Sequence, residues 1–594
     1  MSALASPRPM RILWGSQGGT AQIFAMQLQE ALEEEYDGVE VQTMGLNEFS
    51  PSEILKANAL NILVVSVTGV GEPPENTREF YNYLMNDPTL PESLDYAVFG
   101  LGNSKAHPNQ YNVIAKAIDK KLEENGGNRL YELGLGDDGD CIEEDFDIWM
   151  GKLVSSLSNG GANMPNWVQD VAGNHPDIAV VQAIERRESS RYQPLMLLPA
   201  ANDAVREDLC DLASPYYQAD FKKFLVTENR PLSIGAGEQS LREIVISTEG
   251  HDVQYEAGDH VMIYPKNSNC MVEAYEALIE IDPHSMIESG NLSSNYPHPT
   301  SLTIAETLTH CVDLSAVPSP AFARFLLGRK EIDYRNEVAN PRRTALDLIH
   351  ESNKIPSLED LLYGLPALMP RYYSIASSPL ANPDQIYLTY RPVKYVSTRG
   401  HLREGVCTSY LSTLGVGETG QSSVIASIRS NPSFRLPLDN LTPILLIAGG
   451  CGIAPIRSFL EDRLAGDHNS FGDSHLFVGF RSPGDEVYRP LMDKAAACGV
   501  IKDVQVSYSR GCVSAEQKCC FVSDTVRANS SVVWDLIEGG GHIYVCGGAR
   551  GFGVSIEQEL LSVFKEHKKM DLTEATDYLR ELVKEGRLCE DISD

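Results

Sequence analysis

The amino-acid sequence predicts a multidomain protein that combines two α/β domains with a β-barrel, and three observations support this fold class. The chain has 594 residues, enough for several domains with separate hydrophobic cores. Short apolar runs alternate with amphipathic stretches from Met10 to about Ser158, as in a parallel sheet that is covered by helices on both faces. Strand-like alternation begins near Phe221, and a second α/β series begins at Thr442.

Changes in composition mark the domain boundaries. The stretch 155–161 is rich in serine, glycine and asparagine, and weakly periodic sequence follows it, as expected of an interdomain linker. The predicted order is a doubly wound domain (1–158), a linker (159–214), a barrel (215–440) with a helical insertion at about 267–365, and a second α/β domain (441–594).

Negative charge is the unusual feature of the composition. The chain contains 49 Lys and Arg against 82 Asp and Glu, a formal net charge of −33. This balance argues against sequence-independent nucleic-acid binding and against attraction to anionic membranes. Residues 1–160 hold 10 of the basic and 25 of the acidic residues, so a charged partner of this part should present a basic face.

Signals for membranes, export and metals are weak. No run reaches the roughly 18–20 apolar residues of a membrane span, and the N-terminus lacks the apolar core of a signal peptide. The 12 cysteines are scattered without CxxC pairs, and the vicinal pair Cys519 and Cys520 has no further ligands at metal spacing. We therefore expect a cytoplasmic protein with no membrane anchor and no metal site.

A phosphate-binding loop is predicted after the first strand. The strand Arg11–Trp14 runs into Gly-Ser-Gln-Gly-Gly-Thr-Ala-Gln at 15–22 and then into an amphipathic helix. Backbone N–H groups and the positive helix end meet there, and Ser16 and Thr20 add hydroxyl donors. The loop has no lysine, so it is not a nucleoside-triphosphate P-loop, and a generic glycine-rich turn is the alternative.

Three more polar loops follow predicted strands of the same domain. They are Ser66–Asn76, Phe99–Asn103 and Leu135–Asp138. The carboxyl ends of parallel strands share one edge of a sheet, and ligands bind there at the switch in strand order. The four loops therefore predict a single binding site.

The barrel and the last domain carry three further motifs. Arg-Tyr-Tyr-Ser at 371–374 and Gly-Val-Cys-Thr at 405–408 offer a guanidinium for a pyrophosphate, a tyrosine for a flavin ring and the N–H groups of a turn, the alternative being barrel core plus a turn. Gly-Gly-Cys-Gly-Ile-Ala-Pro at 449–455 follows a predicted strand and lets the backbone approach a second pyrophosphate.

Taken in order, these motifs resemble the diflavin reductases of the cytochrome P450 reductase type. The resemblance implies a flavodoxin-like FMN domain, an FAD-binding barrel and a ferredoxin-reductase-like NADP domain. It assigns FMN contacts to Ser16, Gln17, Gly18, Gly19, Thr20, Ala21, Thr68, Gly69, Leu101, Gly102, Asn103 and Asp137. It assigns FAD contacts to Arg371, Tyr372, Tyr373, Ser374, Gly405, Val406, Cys407 and Thr408. It assigns NADPH contacts to Arg230, Gly450, Cys451, Gly452, Arg481, Ser509, Arg510, Lys518 and Cys546, and hydride transfer to Ser374, Cys546 and Asp591.

Several residues depart from the family pattern. Cys451 replaces a threonine of the nucleotide loop, Gly548 an acidic residue, and Ser593 an aromatic that often shields the flavin. The segment that leads to Lys518 is longer than usual. Thr68 stands where P450 reductases place a tyrosine against FMN, and either His107 or Tyr111 could supply a second stacking group.

The resemblance implies that electrons pass from NADPH to FAD, then to FMN, and then singly to a protein acceptor. Short length, the expected lack of an anchor and Thr68 favour the reductase of an anamorsin-type Fe–S protein in cytosolic iron–sulfur cluster assembly. A soluble P450-type or methionine-synthase-type reductase and a non-catalytic scaffold are the alternatives. We expect an acidic docking face for a basic acceptor surface, formed by Glu72, Glu75, Asp137, Asp138, Asp140, Glu143, Glu144 and Asp145.

Overall fold

The structure is a computed structural model. It describes residues 9–16, 19–36, 39–57, 59–68, 71–86, 88–91, 93–105, 110–158, 197–198, 209–217, 219–233, 240–287, 302–397, 400–415, 422–466, 470–510 and 521–593. The chain forms two compact units. The first comprises residues 1–200, 273–304 and 312–367, and the second comprises 201–272, 305–311 and 368–594.

The first unit begins with a doubly wound α/β domain. Its strands are parallel and are β1 (Met10–Gly15), β2 (Val41–Gly45), β3 (Leu60–Ser66), β4 (Asp95–Gly102), β5 (Asn128–Arg129) and β6 (Gly134–Asp137). Its helices are α1 (Thr20–Glu35), α2 (Glu75–Met85), α3 (Val113–Glu124) and α4 (Ile142–Ser158). The order is β2-β1-β3-β4-β5, with β6 also paired to β4.

Both faces of this sheet are buried, which explains the nearly continuous apolar strands. On one face Phe24 of α1 stacks on Phe146 of α4 with ring centroids 4.4 Å apart, and Phe99 of β4 meets Phe146 edge-on at 5.0 Å. On the other face Phe80 and Leu122 pack in a second core. Helices therefore cover the sheet on both sides, and the predicted doubly wound domain is confirmed.

The middle of the chain contains an antiparallel sheet and a set of helices. The strands of this region of the chain are β7 (Leu197–Leu198), β8 (Lys222–Pro231), β9 (Arg242–Ser247), β10 (His260–Tyr264), β11 (Met286–Ile287), β12 (Arg371–Ser374), β13 (Gln385–Tyr390), β14 (Lys394–Val396), β15 (Leu402–Glu404) and β16 (Ser423–Arg429). Its helices are α5 (Leu209–Tyr217), α6 (Asn269–Ile279), α7 (Ile304–His310), α8 (Pro320–Leu327), α9 (Ala345–Ser352), α10 (Leu358–Gly364) and α11 (Val406–Thr413).

Six of these strands form a closed barrel. The order is β12-β10-β16-β8-β9-β13, and a bridge between Ile375 and Leu388 joins the two edge strands. The interior is apolar and includes Phe224, Val261 and Leu411. The helices α6 to α10 lie between β10 and β12 in the chain, which confirms the predicted helical insertion.

The second unit ends with another parallel sheet. Its strands are β17 (Ile444–Gly449), β18 (Ser474–Phe480), β19 (Asp503–Tyr508), β20 (His542–Gly548) and β21 (Leu588–Ser593), in the order β19-β18-β17-β20-β21. Its helices are α12 (Ile453–Ala465), α13 (Arg489–Ala497), α14 (Val522–Ala528), α15 (Ser530–Glu538), α16 (Val554–Lys568) and α17 (Leu572–Lys584). This confirms the predicted second α/β domain.

Some element boundaries differ from the sequence prediction. Helix α11 begins at Val406, within the motif at 405–408 that was expected to form a turn, so Gly405 directly precedes its first turn. Helix α5 occupies the end of the predicted linker. In the part of the chain that the structure describes, no helix is long and apolar enough to cross a bilayer.

Candidate functional site

The predicted phosphate loop lies at the switch point of the first sheet. Strand order reverses between β1 and β3, which is where ligands bind in doubly wound folds. Gly19 precedes α1 in the left-handed region with φ 85°. The first amides of a helix lack intrahelical partners, and Gly19 has no side chain that could cap them. The junction therefore fits a phosphate group.

The residues predicted around this loop are only partly described. Gln17, Gly18 and Gly69 lie outside the described residues. Ser16 Oγ accepts a hydrogen bond from the Gly19 amide at 3.1 Å, Thr20 is exposed and Ala21 is buried. Thr68 donates from Oγ1 to the carbonyl oxygen of Glu72 at 3.1 Å, which closes the loop after β3.

The loops after β4 and β6 are held together by Asp137. Its Oδ1 accepts from the amides of Ser104 at 2.8 Å and Gly139 at 2.9 Å, and its Oδ2 accepts from the Ser104 hydroxyl. Burial would raise the pKa of Asp137, but these hydrogen bonds lower it below its usual range. Asn103 binds Asp138 Oδ2 at 2.9 Å. These carboxylates thus shape the loops of the predicted FMN site.

Leu101, Gly102 and Tyr111 lie beside these loops. Leu101 and Gly102 end β4 and are buried, and a Cβ on Gly102 would come within 2.8 Å of the Asn112 nitrogen. Tyr111 donates to the carbonyl oxygen of Leu135 at 3.1 Å. His107 lies outside the described residues, so of the two proposed stacking groups only Tyr111 can be located here.

Part of the predicted acidic face is bound by arginines of the same unit. Arg335, in a π-helical turn at Arg335–Ala339, pairs with Asp140 at 2.8 Å and Glu144 at 3.3 Å. Arg324 of α8 pairs at 3.0 Å with Asp147, which lies on the same helix as Glu144 but is not one of the eight predicted residues. Asp145 accepts from the Asp137 amide at 2.9 Å. The eight acidic residues are therefore not one uniformly open surface, because several already hold partners.

The barrel brings the two predicted FAD motifs into its wall. Arg371 begins β12 and donates to the Met369 carbonyl oxygen at 2.5 Å. Tyr372 is exposed, whereas Tyr373 packs against the barrel core. Burial, together with Cys407, raises the pKa of the Tyr373 phenol well above its usual value.

The second FAD motif forms the start of α11. Gly405 precedes Val406, and a Cβ on Gly405 would meet Thr408 Oγ1 and Val393 at 2.9 Å. Thr408 Oγ1 accepts from the Val393 amide at 3.1 Å, and Cys407 is buried. Helix-terminal amides next to a glycine suit a phosphate, so this turn and Arg371 fit the pyrophosphate of FAD.

The three residues predicted for hydride transfer come together in the second unit. Ser374 Oγ donates to Asp591 Oδ2 at 2.6 Å, and Cys546 Sγ lies 3.8 Å from the same oxygen. Asp591 of β21 is the register partner of Cys546 on β20. Burial, followed by the Asp591 charge, raises the pKa of the Cys546 thiol well above its usual value, so the thiol is neutral.

A fourth residue, His260, completes this cluster and was not predicted. His260 Nε2 lies 3.0 Å from Asp591 Oδ1. Burial would raise the pKa of Asp591, but His260, Ser374 and Cys546 lower it below its usual range. His260 pairs with Ser374 between β10 and β12, and this cross-strand register is invisible in a single sequence.

The predicted nucleotide loop lies at the switch point of the last sheet, between β17 and β20. Gly450, Cys451 and Gly452 form a 3-10 turn. A Cβ on Gly452 would lie 2.0 Å from the Cys546 carbonyl oxygen, whereas Gly450 has φ 59° and faces open space. The turn therefore approaches β20 closely and leaves room on its outer side, as a pyrophosphate site requires.

Cationic side chains gather at this loop. The Arg510 amide donates to the Arg481 carbonyl oxygen at 2.7 Å, which joins the ends of β18 and β19. Arg391 hydrogen-bonds the Cys451 thiol; burial raises the pKa of that thiol, and Arg391 and Arg481 oppose the rise. Burial lowers the pKa of Arg481, and the like charges of Arg391 and Arg510 lower it further. Such a donor set fits the phosphates of NADPH.

The remaining predicted NADPH contacts differ in their surroundings. Ser509 is exposed beside Arg510, and Lys518 lies outside the described residues. Arg230 pairs with the buried Glu243 at 2.6 Å and with Glu228 at 3.2 Å. Arg391 was not predicted, because it follows a barrel strand rather than a nucleotide-binding motif.

An aromatic residue that the sequence reading missed covers the same strand ends. Cβ atoms placed on Gly449 and Gly547 would lie 2.7 and 2.6 Å from the Phe552 ring. Both positions must therefore be glycine for the ring to rest on the sheet. Gly548 pairs with Ser593 on β21, where the sequence lacks the family's acidic and aromatic residues.

Family models match the chain in the same order. A flavodoxin model matches residues 12–149, an FAD binding domain model matches 221–333 and 327–410, and an oxidoreductase NAD-binding domain model matches 446–557. With the site geometry, these matches define a flavin-dependent oxidoreductase that binds FMN, FAD and NADPH.

Curated relatives resemble the chain over nearly its full length. The chain is 28% identical to the NADPH–cytochrome P450 reductase of Musca domestica over 626 residues, covering 99% of this chain and 89% of the relative. It is 28% identical to that of Homo sapiens and 27% to that of Sus scrofa over 632 residues, covering 98% of this chain and 88% of each relative. Together with the three family models, this similarity over nearly the full length indicates an NADPH-dependent diflavin reductase like these relatives, and the alternative of a non-catalytic scaffold is set aside.

Proposed function

We propose that this diflavin reductase oxidises NADPH in the cytoplasm and delivers single electrons to a basic protein acceptor, an anamorsin-type Fe–S protein of cytosolic iron–sulfur cluster assembly. When bound, FAD takes two electrons as hydride from NADPH and FMN releases them one at a time. The observation that carries the proposal is the cluster of Ser374, Cys546 and Asp591, whose side chains meet at one carboxylate oxygen.

Each part of the cluster has a separate task. The Ser374 hydroxyl is uncharged, and burial together with the Asp591 charge keeps the Cys546 thiol neutral, so neither adds charge to the site. The Asp591 carboxylate accepts from both and fixes their orientation. Fixed dipoles of this kind stabilise charge movement without reorganising during the reaction.

Binding of the nicotinamide nucleotide is assigned to the loop after β17 and the arginines around it. Arg481, Arg510 and Arg391 bring three like charges to the edge of the sheet, and a bound phosphate relieves that repulsion. Since Arg230 is paired with Glu243 and Glu228, we assign the barrel's phosphate contact to Arg391.

The choice of acceptor rests on the first domain. Thr68 occupies the position of an expected stacking tyrosine and uses its hydroxyl to close its own loop on Glu72, which separates this FMN site from the P450-type pattern. The acidic residues around the loops suit a basic acceptor surface. A P450-type acceptor is the second candidate, because the curated relatives are NADPH–cytochrome P450 reductases.

Stopped-flow mixing distinguishes the two candidates. The flavin-loaded protein is reduced with NADPH and mixed separately with an anamorsin-type Fe–S protein and with a cytochrome P450. We expect fast reduction of the Fe–S protein and slow reduction of the P450. The reverse order would transfer the assignment to a P450-type reductase, and failure of NADPH to reduce the protein would overturn the proposal as a whole.

A further inference from the structure

The cluster around Asp591 contains one residue with no task in the proposed reaction. Asp591 Oδ2 receives Ser374 at 2.6 Å and Cys546 at 3.8 Å, while its other oxygen, Oδ1, faces His260 Nε2 at 3.0 Å. The His260 and Asp591 side chains are only 12% and 14% exposed, so water cannot readily replace this contact. Within the described residues, His260 is thus the hydrogen-bond partner of Asp591 Oδ1.

We propose that His260 is a positioning residue for hydride transfer, which holds Asp591 Oδ1 so that Oδ2 stays on Ser374 and Cys546. The inference rests on the proposed function of this cluster and extends it by one residue. An ionised carboxylate only accepts hydrogen bonds, so His260 Nε2 carries the hydrogen and donates it to Oδ1.

The backbone supports this arrangement. His260 is the first residue of β10 and pairs directly with Ser374 of β12, so both side chains rise from the same face of the barrel wall. Asp591 comes from a different sheet, on β21 beside Cys546. The carboxylate is therefore clamped between two strands of the barrel and one strand of the nucleotide-binding sheet.

Other charged or titratable groups also lie next to His260 and affect how the cluster responds to pH. Arg429 of β16 is the register partner of His260 on its other side. The Tyr372 ring meets the imidazole edge-on, with centroids 6.4 Å apart at 85°. Asp591 is the acidic neighbour, and Cys546 lies behind it.

Loss of His260 would leave Oδ1 as a largely buried acceptor without a donor. A buried carboxylate that loses a hydrogen-bond donor favours its protonated form. A protonated Asp591 can rotate and donate, so it no longer fixes Ser374 and Cys546 together. His260 therefore affects the reaction through the charge and orientation of Asp591 and does not touch the reacting atoms.

The test compares His260→Leu, which removes the donor, with His260→Gln, whose amide can donate at similar reach. His475→Leu is the control, because His475 lies at the opposite end of the parallel sheet, in β18. Infrared titration follows the protonated carboxyl band of Asp591, identified by its loss in Asp591→Asn. Stopped-flow absorbance after a pH jump follows flavin reduction by NADPH from about pH 3 to pH 7, the range that brackets the lowered pKa of Asp591, and FAD content and Tm are measured for each variant.

In His260→Leu we expect the Asp591 titration and the acid limb of the rate profile to move up together by about one pH unit, which slows reduction about tenfold on that limb. His260→Gln should restore most of the shift, and His475→Leu should show none. An unchanged Asp591 titration in His260→Leu would overturn the inference. So would equal losses in both variants with an unchanged pH profile and lower FAD content, because they would show a structural role only.

Failure of the proposed function and failure of the proposed role of His260 would give different results. If NADPH does not reduce the wild-type protein, the proposed function fails, but the infrared titration still reports whether His260 holds Asp591. If wild-type reduction is normal and His260→Leu behaves like wild type in both measurements, only the role of His260 fails.

Discussion

The two parallel sheets of this molecule share a design but differ in the charge at their ligand-binding edges. Strand order reverses between β1 and β3 in the first sheet and between β17 and β20 in the last, and a glycine loop follows the first strand of each. The first edge carries carboxylates such as Asp137 and Asp138, whereas the last carries Arg481 and Arg510.

This difference shows how one architecture serves two ligands. In the proposed FMN site at the first edge, the phosphate is left to backbone amides and hydroxyls, so acidic side chains can shape the loops and the outer surface. In the proposed nucleotide site at the last edge, guanidinium groups would neutralise a ligand that carries several phosphates. The fold supplies the crevice, and the loop side chains determine which ligand and which partner fit there.

The largest expected effect concerns the basic edge. The double variant Arg481→Gln/Arg510→Gln should weaken binding of NADP⁺ and of 2′,5′-ADP at least 100-fold, since each charged hydrogen bond contributes about 1.5–3 kcal/mol. Isothermal titration calorimetry measures both ligands. Retention of wild-type affinity would show that the phosphates bind elsewhere.

Arg391 and Arg230 are a matched pair of barrel arginines, and comparing them shows which one contacts the phosphates of the nucleotide. Arg391→Gln should weaken nucleotide binding about tenfold, since it removes one charged contact, whereas Arg230→Gln should have a smaller effect because Arg230 is held by Glu243 and Glu228. The same calorimetric measurement compares them. A larger loss in Arg230→Gln would return the barrel's phosphate contact to that residue.

The acidic edge should govern the encounter with the acceptor. Neutralising Glu72, Glu75 and Asp138 together as Gln, Gln and Asn should slow acceptor reduction about tenfold at low ionic strength and flatten its salt dependence. Neutralising Glu123 and Glu124 at the end of α3 is the control. An unchanged rate and salt dependence would refute the docking role and leave the flavin assignments intact.

A smaller effect should follow from releasing the bound part of the acidic face. Arg335 covers Asp140 and Glu144, so Arg335→Gln should speed acceptor reduction by a few-fold at low salt. Stability should change by at most about 1 kcal/mol, because these side chains are about one-third exposed and solvent screens the pairs. The control is Arg329→Gln, which breaks pairs with Glu337 and Glu351. Equal rates of acceptor reduction in both variants would show that Arg335 does not restrict docking of the acceptor.

The smallest effect concerns the loop braced by Asp137, whose pKa is lowered in the folded protein. A carboxyl with a lowered folded pKa stabilises the protein above its unfolded pKa of about 3.9, and that contribution is lost as the pH falls through the folded value. Asp137→Asn should therefore lower the urea midpoint at pH 7 and have less effect near pH 3. An equal loss at both values would show that the carboxylate charge is not what braces the loop.

Local patterns predicted the architecture because each of them follows from a local physical requirement of a strand, a helix or a loop. The apolar strand at 61–67 required a sheet covered on both faces, and the glycine loops marked the carboxyl ends of strands. The cluster of Ser374, Cys546 and Asp591 was predicted through family resemblance, since its members are more than 200 residues apart at the extremes.

The missed residues depend on register and tertiary contact. His260 reaches Asp591 across 331 positions of the chain, and Arg391 meets Cys451 only because a barrel strand ends beside the nucleotide loop. Charge composition indicated an acidic face but could not show that Arg335 pairs with Asp140 and Glu144 of that face. Such long-range pairings leave no periodic signal in one sequence.

We propose that electrons from NADPH leave the protein at the acidic edge of the first parallel sheet. The most direct test is the rate of acceptor-protein reduction by the NADPH-reduced protein with both flavins, after removal of FMN, and after FMN is restored. We predict that reduction of the acceptor is lost on FMN removal and recovers with FMN, while NADPH still reduces the bound FAD. Equal rates of acceptor reduction with and without FMN would contradict this account.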